Sequence, residues 1–276
     1  MKSIDKINSK QPKNTKDNFL KSSIICLANA ERLIRNTEFL NYDTDTFSTS
    51  YALAVLAQEE TAKAFLLYLV YSDALPWNSC IQRSLRDHEC KQLWFIVLDA
   101  LNPDIDVFLS KSENNLEKLG SFGLDAFRKE VGEMLNWYRY AKINTWERGY
   151  CNWDEKPLNK KVKQISKGKL DKRKQNALYV RIGEQGEVIS TPSAFKEQDA
   201  EKAIGTAKRF YSFASNLIKG NKIESDDACL NWLKQALKHI FTPAVKTGQK
   251  DTIAIPGVEI CEISIPIIEV SKLKQY

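Results

Sequence analysis

Histidine is scarce in this chain: its 276 residues contain two, His88 and His239. So few imidazoles argue against a histidine-rich metal site. The Glu-x-x-His repeat that di-iron bundles carry on paired helices occurs nowhere. Six cysteines (Cys26, Cys80, Cys90, Cys151, Cys229, Cys261) are scattered with no Cys-x-x-Cys spacing. That pattern fits reduced thiols better than a disulfide framework or a zinc site. No apolar run approaches the roughly 20 residues needed to span a bilayer. The opening MKSIDKINSKQPKNTK lacks the apolar core of a secretory signal. A cytoplasmic location with no membrane association is expected, and neither a metal nor another cofactor is. Charge of one sign is also missing. Forty-one basic residues face 35 acidic ones, and a net +6 does not by itself imply nucleic acid.

What is present is material for a core, with 43% hydrophobic and 10% aromatic residues. The longest apolar segment, Ser48 to Tyr71 (STSYALAVLAQEETAKAFLLYLVY), contains neither Gly nor Pro and predicts one helix. Tyr51, Leu53, Val55, Leu56, Phe65, Leu66, Leu67, Leu69 and Val70 surround its axis, so it should be buried on nearly every face. Against that background stand Glu59, Glu60 and Lys63. Glu59 and Lys63 are four apart and can pair on one face. Two readings stand side by side: a solvated ion pair on the polar strip, or a carboxylate held inside a bundle to orient a partner. The apolar surroundings predict at least one of the two glutamates buried and bonded to a basic group.

Residues 1–15 read as a flexible arm. From Lys16 to Leu40 the spacing of Phe19, Ile24, Leu27, Ala28, Leu33 and Ile34 predicts an amphipathic helix. The central helix follows, then a third over Cys80–Leu101 and a fourth over Asp125–Trp146, with Val131, Leu135, Tyr138 and Ile143 inward. Four helices with short-to-moderate connections predict a mainly α, antiparallel bundle over residues 16–146. Between Lys156 and Lys174 nine of nineteen residues are Lys or Arg, and Asp171 is the only acid. Such a run predicts a solvated loop or a track for a phosphate backbone. ALYVRI and EVIS, separated by GEQG, predict a small inserted β-hairpin at about 177–190. A helix ending at Gly220 and another over Asp226–Phe241 follow. The last stretch, TIAIPGVEICEISIPIIEV, has strand character interrupted by Pro256 and Pro266. The dense aromatic stretch Trp137, Tyr138, Tyr140, Trp146, Tyr150 and Trp153 reads as core packing, with base stacking as the alternative.

Three separated pieces carry a resemblance: ALAVLAQEETAKAF, RDHECKQL, and NALYVRIGEQGEVISTPSAF followed by DAEKAIGTAKRF. In order and spacing they resemble the AbiV family of bacterial abortive-infection proteins, over roughly residues 16–220. The resemblance implies phage defence and a HEPN-like antiparallel helical bundle, a type that includes many dimeric ribonucleases. It divides the chain into a 16–220 helical domain and a 221–276 extension with a helix and short strands. It also matches Arg83 and His88, with four residues between them, to the Arg-x4-6-His element of HEPN ribonucleases. In that chemistry an imidazole moves the 2′-hydroxyl proton and a guanidinium holds the phosphate, with no metal required. This chain has Glu89 where a basic residue often follows the histidine, and Ser84 where an amide or acid often follows the arginine.

The candidate catalytic residues are therefore Arg83, His88, Glu59 and Glu60. Lys63, Lys91 and Tyr179 are the candidate binding residues. His88 and Lys91 lie three apart and share a face, where Glu59 or Glu60 can meet them across the helix pair. The alternative is a structural Glu-His-Lys cluster that fixes helix register. Two functions follow from the resemblance. One is a binder of a phage product or of the translation machinery. The other is a metal-independent endoribonuclease using Arg83 and His88. A homodimer through the bundle helices is expected, with RNA as a further candidate partner.

Overall fold

The computed structural model describes residues 13–40, 46–102, 131, 160–220 and 227–241. The chain is mainly helical, and everything is built around α2 (Phe47–Tyr71). This helix buries both its Ala-rich first half and its Phe65–Val70 second half, as a helix apolar on every side must. Along it lie α1 (Lys13–Leu40) and, from later in the chain, α7 (Glu197–Ile218). The inward stripe of α1 is Phe19, Ser23, Leu27, Ala30, Leu33, Ile34 and Thr37. Ile24 and Ala28, read from the sequence as inward, face solvent instead. The stripe takes Ser23 and Thr37 because their hydroxyls bond the carbonyls of Leu20 and Ile34 and so pack as small apolar groups.

The expected third helix is two. A short α3 (Ser79–Ser84) ends at Leu85, and α4 (His88–Leu101) begins after Asp87. Asp87 is extended, and its Oδ1 accepts from the Cys90 N–H at 2.8 Å, so it caps α4 and restarts the chain in a new direction. The described part of the Lys-rich run, from Lys160 on, is not a loop. It forms α5 (Lys160–Ser166) and α6 (Lys169–Leu178), joined at Gly168 with φ +67°. Val162 and Ile165 are buried in the main core, and Ala177 is buried against α1, α2 and α7.

Trp94 of α4 meets Phe65 edge-on at 5.9 Å, and Phe95 meets Phe210 of α7. Leu233, Ala236 and Leu237 of α8 (Asp227–Phe241) enter the same core. The hairpin is β1 (Arg181–Ile182) paired antiparallel with β2 (Val188–Ser190), shorter than the predicted one because Ala177 and Leu178 complete α6. A one-turn 3-10 segment at Pro192–Ala194 leads into α7. Of the arm read over residues 1–15, residues 13–15 instead open α1, and residues 1–12 lie outside the described residues, as do the aromatic stretch and the strand-like end. So does the predicted fourth helix, apart from Val131, which is helical and buried. No helix among the described residues is long and apolar enough to cross a membrane.

Candidate functional site

Glu59 sits midway along α2 with its carboxylate buried, 1% exposed. At the restart of the chain after Asp87, His88 opens α4, and Lys91 and Gln92 lie on its next inward turn. On α6, Asp171 and Lys174 share one face three residues apart, with Ala177 continuing the inward stripe. Gly168 makes this docking possible. Its left-handed conformation turns α5 into α6, and a Cβ there would stand 3.0 Å from Glu89 Oε1.

All these groups converge on the Glu59 carboxylate. Oε1 accepts from Gln92 Nε2 at 2.9 Å and from Lys174 Nζ at 2.8 Å. Oε2 lies 2.5 Å from His88 Nδ1 and 3.3 Å from Lys91 Nζ. Lys174 Nζ also lies 2.8 Å from Asp171 Oδ1 and 3.1 Å from His88 Nδ1. Burial alone would raise the Glu59 carboxyl, but the hydrogen bond and charge of Lys174, with Gln92 and Lys91, outweigh it and hold it below the ordinary range. Nδ1 of His88 is thus the ring nitrogen held by the cluster, in contact with both Glu59 Oε2 and Lys174 Nζ. The His88 side chain is half exposed, 49%, and its Nε2 makes no hydrogen bond among the described residues. An imidazole held by a carboxylate through one nitrogen, with the second accessible, has the geometry to transfer a proton.

Glu59, His88 and Asp171 also offer donor atoms within 4.8 Å of one another. A metal ion would need the space between them, and the Lys174 ammonium stands within 2.8–3.1 Å of all three. The cluster's cation is a side chain.

The sequence-predicted residues fall into two groups. Glu59, His88 and Lys91 are brought together; Lys91 is buried and holds its ammonium against Glu59. Lys63 pairs with Glu60 at 2.5 Å, and not with Glu59, because Glu59 points inward. Arg83 lies exposed in the last turn of α3, and Tyr179 is exposed just beyond α6. Sequence reasoning missed Lys174, Asp171 and Gln92. The signal that finds the first two is the helical spacing of Leu170, Lys174 and Ala177 inside the basic run.

The described residues form a mainly helical protein around one buried, cation-bound glutamate. A model of the AbiV family matches residues 21–212, and the chain belongs to that family, one of abortive-infection phage defence. No curated protein and no solved structure matches it.

Proposed function

We propose that the chain acts in phage defence as a metal-independent endoribonuclease with His88 as its proton-transfer group. The observation that carries this reading is the 2.5 Å contact between Glu59 Oε2 and Nδ1 of a half-exposed imidazole. Nε2 takes the proton from a ribose 2′-hydroxyl as that oxygen attacks the adjacent phosphorus. The bond from phosphorus to the 5′-oxygen breaks, and the leaving oxygen receives the proton that His88 has taken. The products are a 2′,3′-cyclic phosphate and a 5′-hydroxyl end, so no metal and no co-reactant enter the balance. Arg83, exposed one helix end away, is the candidate phosphate holder. His88→Ala should lower RNA cleavage roughly 100-fold or more, typical of a lost general base, and abolish phage protection while the fold is retained. The assay is incubation of wild type and variant with total RNA in EDTA. Wild type that cleaves nothing, together with protection surviving in the variant, defeats the reading.

A second reading is favoured by the hairpin. Tyr179, Val180, Ile182, Val188 and Ile189 are all more than half exposed, with Tyr179 at 64%. Apolar side chains clustered in this way mark interaction surfaces. The partner would be a phage protein or a component of the translation machinery, and Tyr179 is its candidate contact. Protection lost on Tyr179→Ala with RNA cleavage intact would support this binder.

A further inference from the structure

Placed on α5 and α6, the basic run divides into two sets of side chains. Lys161 meets Asp99, Arg173 meets Asp199, and Lys174 is buried on Glu59 and Asp171. Lys163, Lys167, Lys169 and Lys172 are exposed, and among the described residues none of the four meets a carboxylate. Asp171, the acid of these two helices, is held by Lys174 and Gln175. Lys163 and Lys167 are four apart and Lys169 and Lys172 three apart. Each pair therefore stacks like charges on one helix face, an arrangement that a bound anion relieves.

The ion pairs fix where these lysines stand. Lys161 sets the start of α5 beside Asp99, near the end of α4, and Gly168 follows α5 beside Glu89, at the start of α4. The helix thus runs antiparallel along α4 and delivers Lys167 and Lys169, on either side of Gly168, to the end that carries His88. From there α6 crosses to Glu59 on α2 and to Asp199 at the start of α7. Lys163 and Lys172 stand about one turn further from His88 along the two helices. Arg83 and Arg86, on the segment leading into α4, are exposed near the same end. The acids there are turned away: Asp87 accepts from the Cys90 N–H, and Glu89 reaches toward Gly168 with Oε2 buried. Among the described residues the exposed large apolar side chains lie on α1, at the end of α6 and on the hairpin, not between these lysines. Protein and membrane surfaces are held through apolar anchors, whereas a phosphate backbone is held by cations alone.

We propose that Lys163, Lys167, Lys169 and Lys172 form a binding face for the phosphate backbone of one RNA strand, which passes over the Gly168 joint beside His88. Where the strand is cut rests on the reading of His88 as the proton-transfer group; the face itself reads charge and needs no 2′-hydroxyl. Phosphate contacts position a strand without reading its bases, so binding is indifferent to sequence.

The probe is a labelled single strand of 2′-O-methyl RNA, whose blocked 2′-oxygen cannot attack phosphorus. Its binding to the full chain is followed by fluorescence anisotropy. Each phosphate contact on a single strand contributes about −0.7 to the slope of log affinity against log salt. Four contacts give a slope of about −2.8, a loss of roughly 50-fold between ~50 and ~200 mM salt. Lys167→Gln/Lys169→Gln and Lys163→Gln/Lys172→Gln should each make the slope shallower by about 1.4, at wild-type melting. Lys21→Gln/Lys202→Gln removes the same charge from exposed positions on α1 and α7 and should leave the slope as it is. The proposal is overturned by wild type that does not bind the strand, by either lysine pair leaving the slope unchanged, or by an equal effect of the Lys21 and Lys202 pair. Polyglutamate that displaces the strand at equal charge also overturns it and gives the face to an acidic protein. Wild type that binds with this slope yet cleaves no RNA removes the nuclease reading and leaves the face. RNA cleavage by wild type that binds no 2′-O-methyl strand removes the face and leaves the nuclease.

Discussion

Glu59 and Glu60 are neighbours in sequence with opposite surroundings. Glu59 points into the bundle, where two ammonium groups, an amide and an imidazole meet its two oxygens. Glu60 lies at the edge of the same helix and pairs with Lys63. Removing one member of a buried ion network leaves the others uncompensated, at a cost of ~3–5 kcal/mol. An exposed or half-exposed pair contributes about 0–1 kcal/mol. Glu59→Ala should therefore lower the melting temperature clearly and Glu60→Ala barely, and equal melting of the two variants would refute the assignment. Acid gives an independent check. Burial pushes both the Glu59 and Asp99 carboxyls up, but Lys174, Gln92 and Lys91 around the first and Lys161 and Arg209 around the second bring each below its ordinary value. The unfolded chain then takes up protons first as pH falls. The stability these groups add is full above about pH 4.3, the ordinary glutamate value, and declines below it toward the folded values. Thermal melts from pH 7 to pH 3 should show that decline, and Glu59→Gln with Asp99→Asn should flatten it.

At the scale of elements, the site depends on two chain reversals. Asp87 caps α4 and sets His88 at its first turn; Gly168 turns α5 into α6 and lets α6 lie against Glu89. Gly168→Ala should cost about 1–2 kcal/mol for a left-handed residue with a side chain. The new Cβ would also stand 3.0 Å from Glu89 Oε1, the far end of a side chain that must give by a few tenths of an ångström. Thermal melting measures the cost, and a variant that melts with wild type would show that α6 docks without this turn. These elements also show what was legible in the sequence. The central helix could be read because nothing in Ser48–Tyr71 competes with helical propensity, and burial of a glutamate followed from its apolar surroundings. The Asp87 restart was hidden because RSLRDHECKQL keeps helical composition across it, and only the capping geometry of one aspartate separates α3 from α4. The basic run was misread because its charge obscured a weak apolar period at Val162, Ile165, Leu170 and Ala177. Lys174 was invisible for a related reason. A lysine is ordinarily a surface residue, and its buried partner lies 115 positions away.

For the whole molecule, two exposed apolar surfaces stand out among the described residues. One is on α1, where Ile24 and Ile25 are 44% and 59% exposed; the other is the hairpin. A rigid helix face repeats identically in every copy, and two copies related by a twofold axis can close on it, which is the commonest oligomer symmetry. The hairpin is only two and three residues long on its strands, too short to be stable as an isolated ribbon, and it presents free backbone edges that suit an added strand from a different protein. The expected homodimer would then close on the bundle face, and the hairpin would serve a heterologous partner. Light scattering at tens of micromolar, a concentration suited to micromolar dissociation constants, should give twice the 31.6 kDa chain mass. Ile24→Glu/Ile25→Glu should return it to the monomer value at similar melting temperature, because neither side chain is in the core. Ile182→Glu should leave the mass doubled and lower phage protection. A monomer mass for wild type ends the dimer assignment, and dissociation by Ile182→Glu alone would transfer the self-interface to the hairpin.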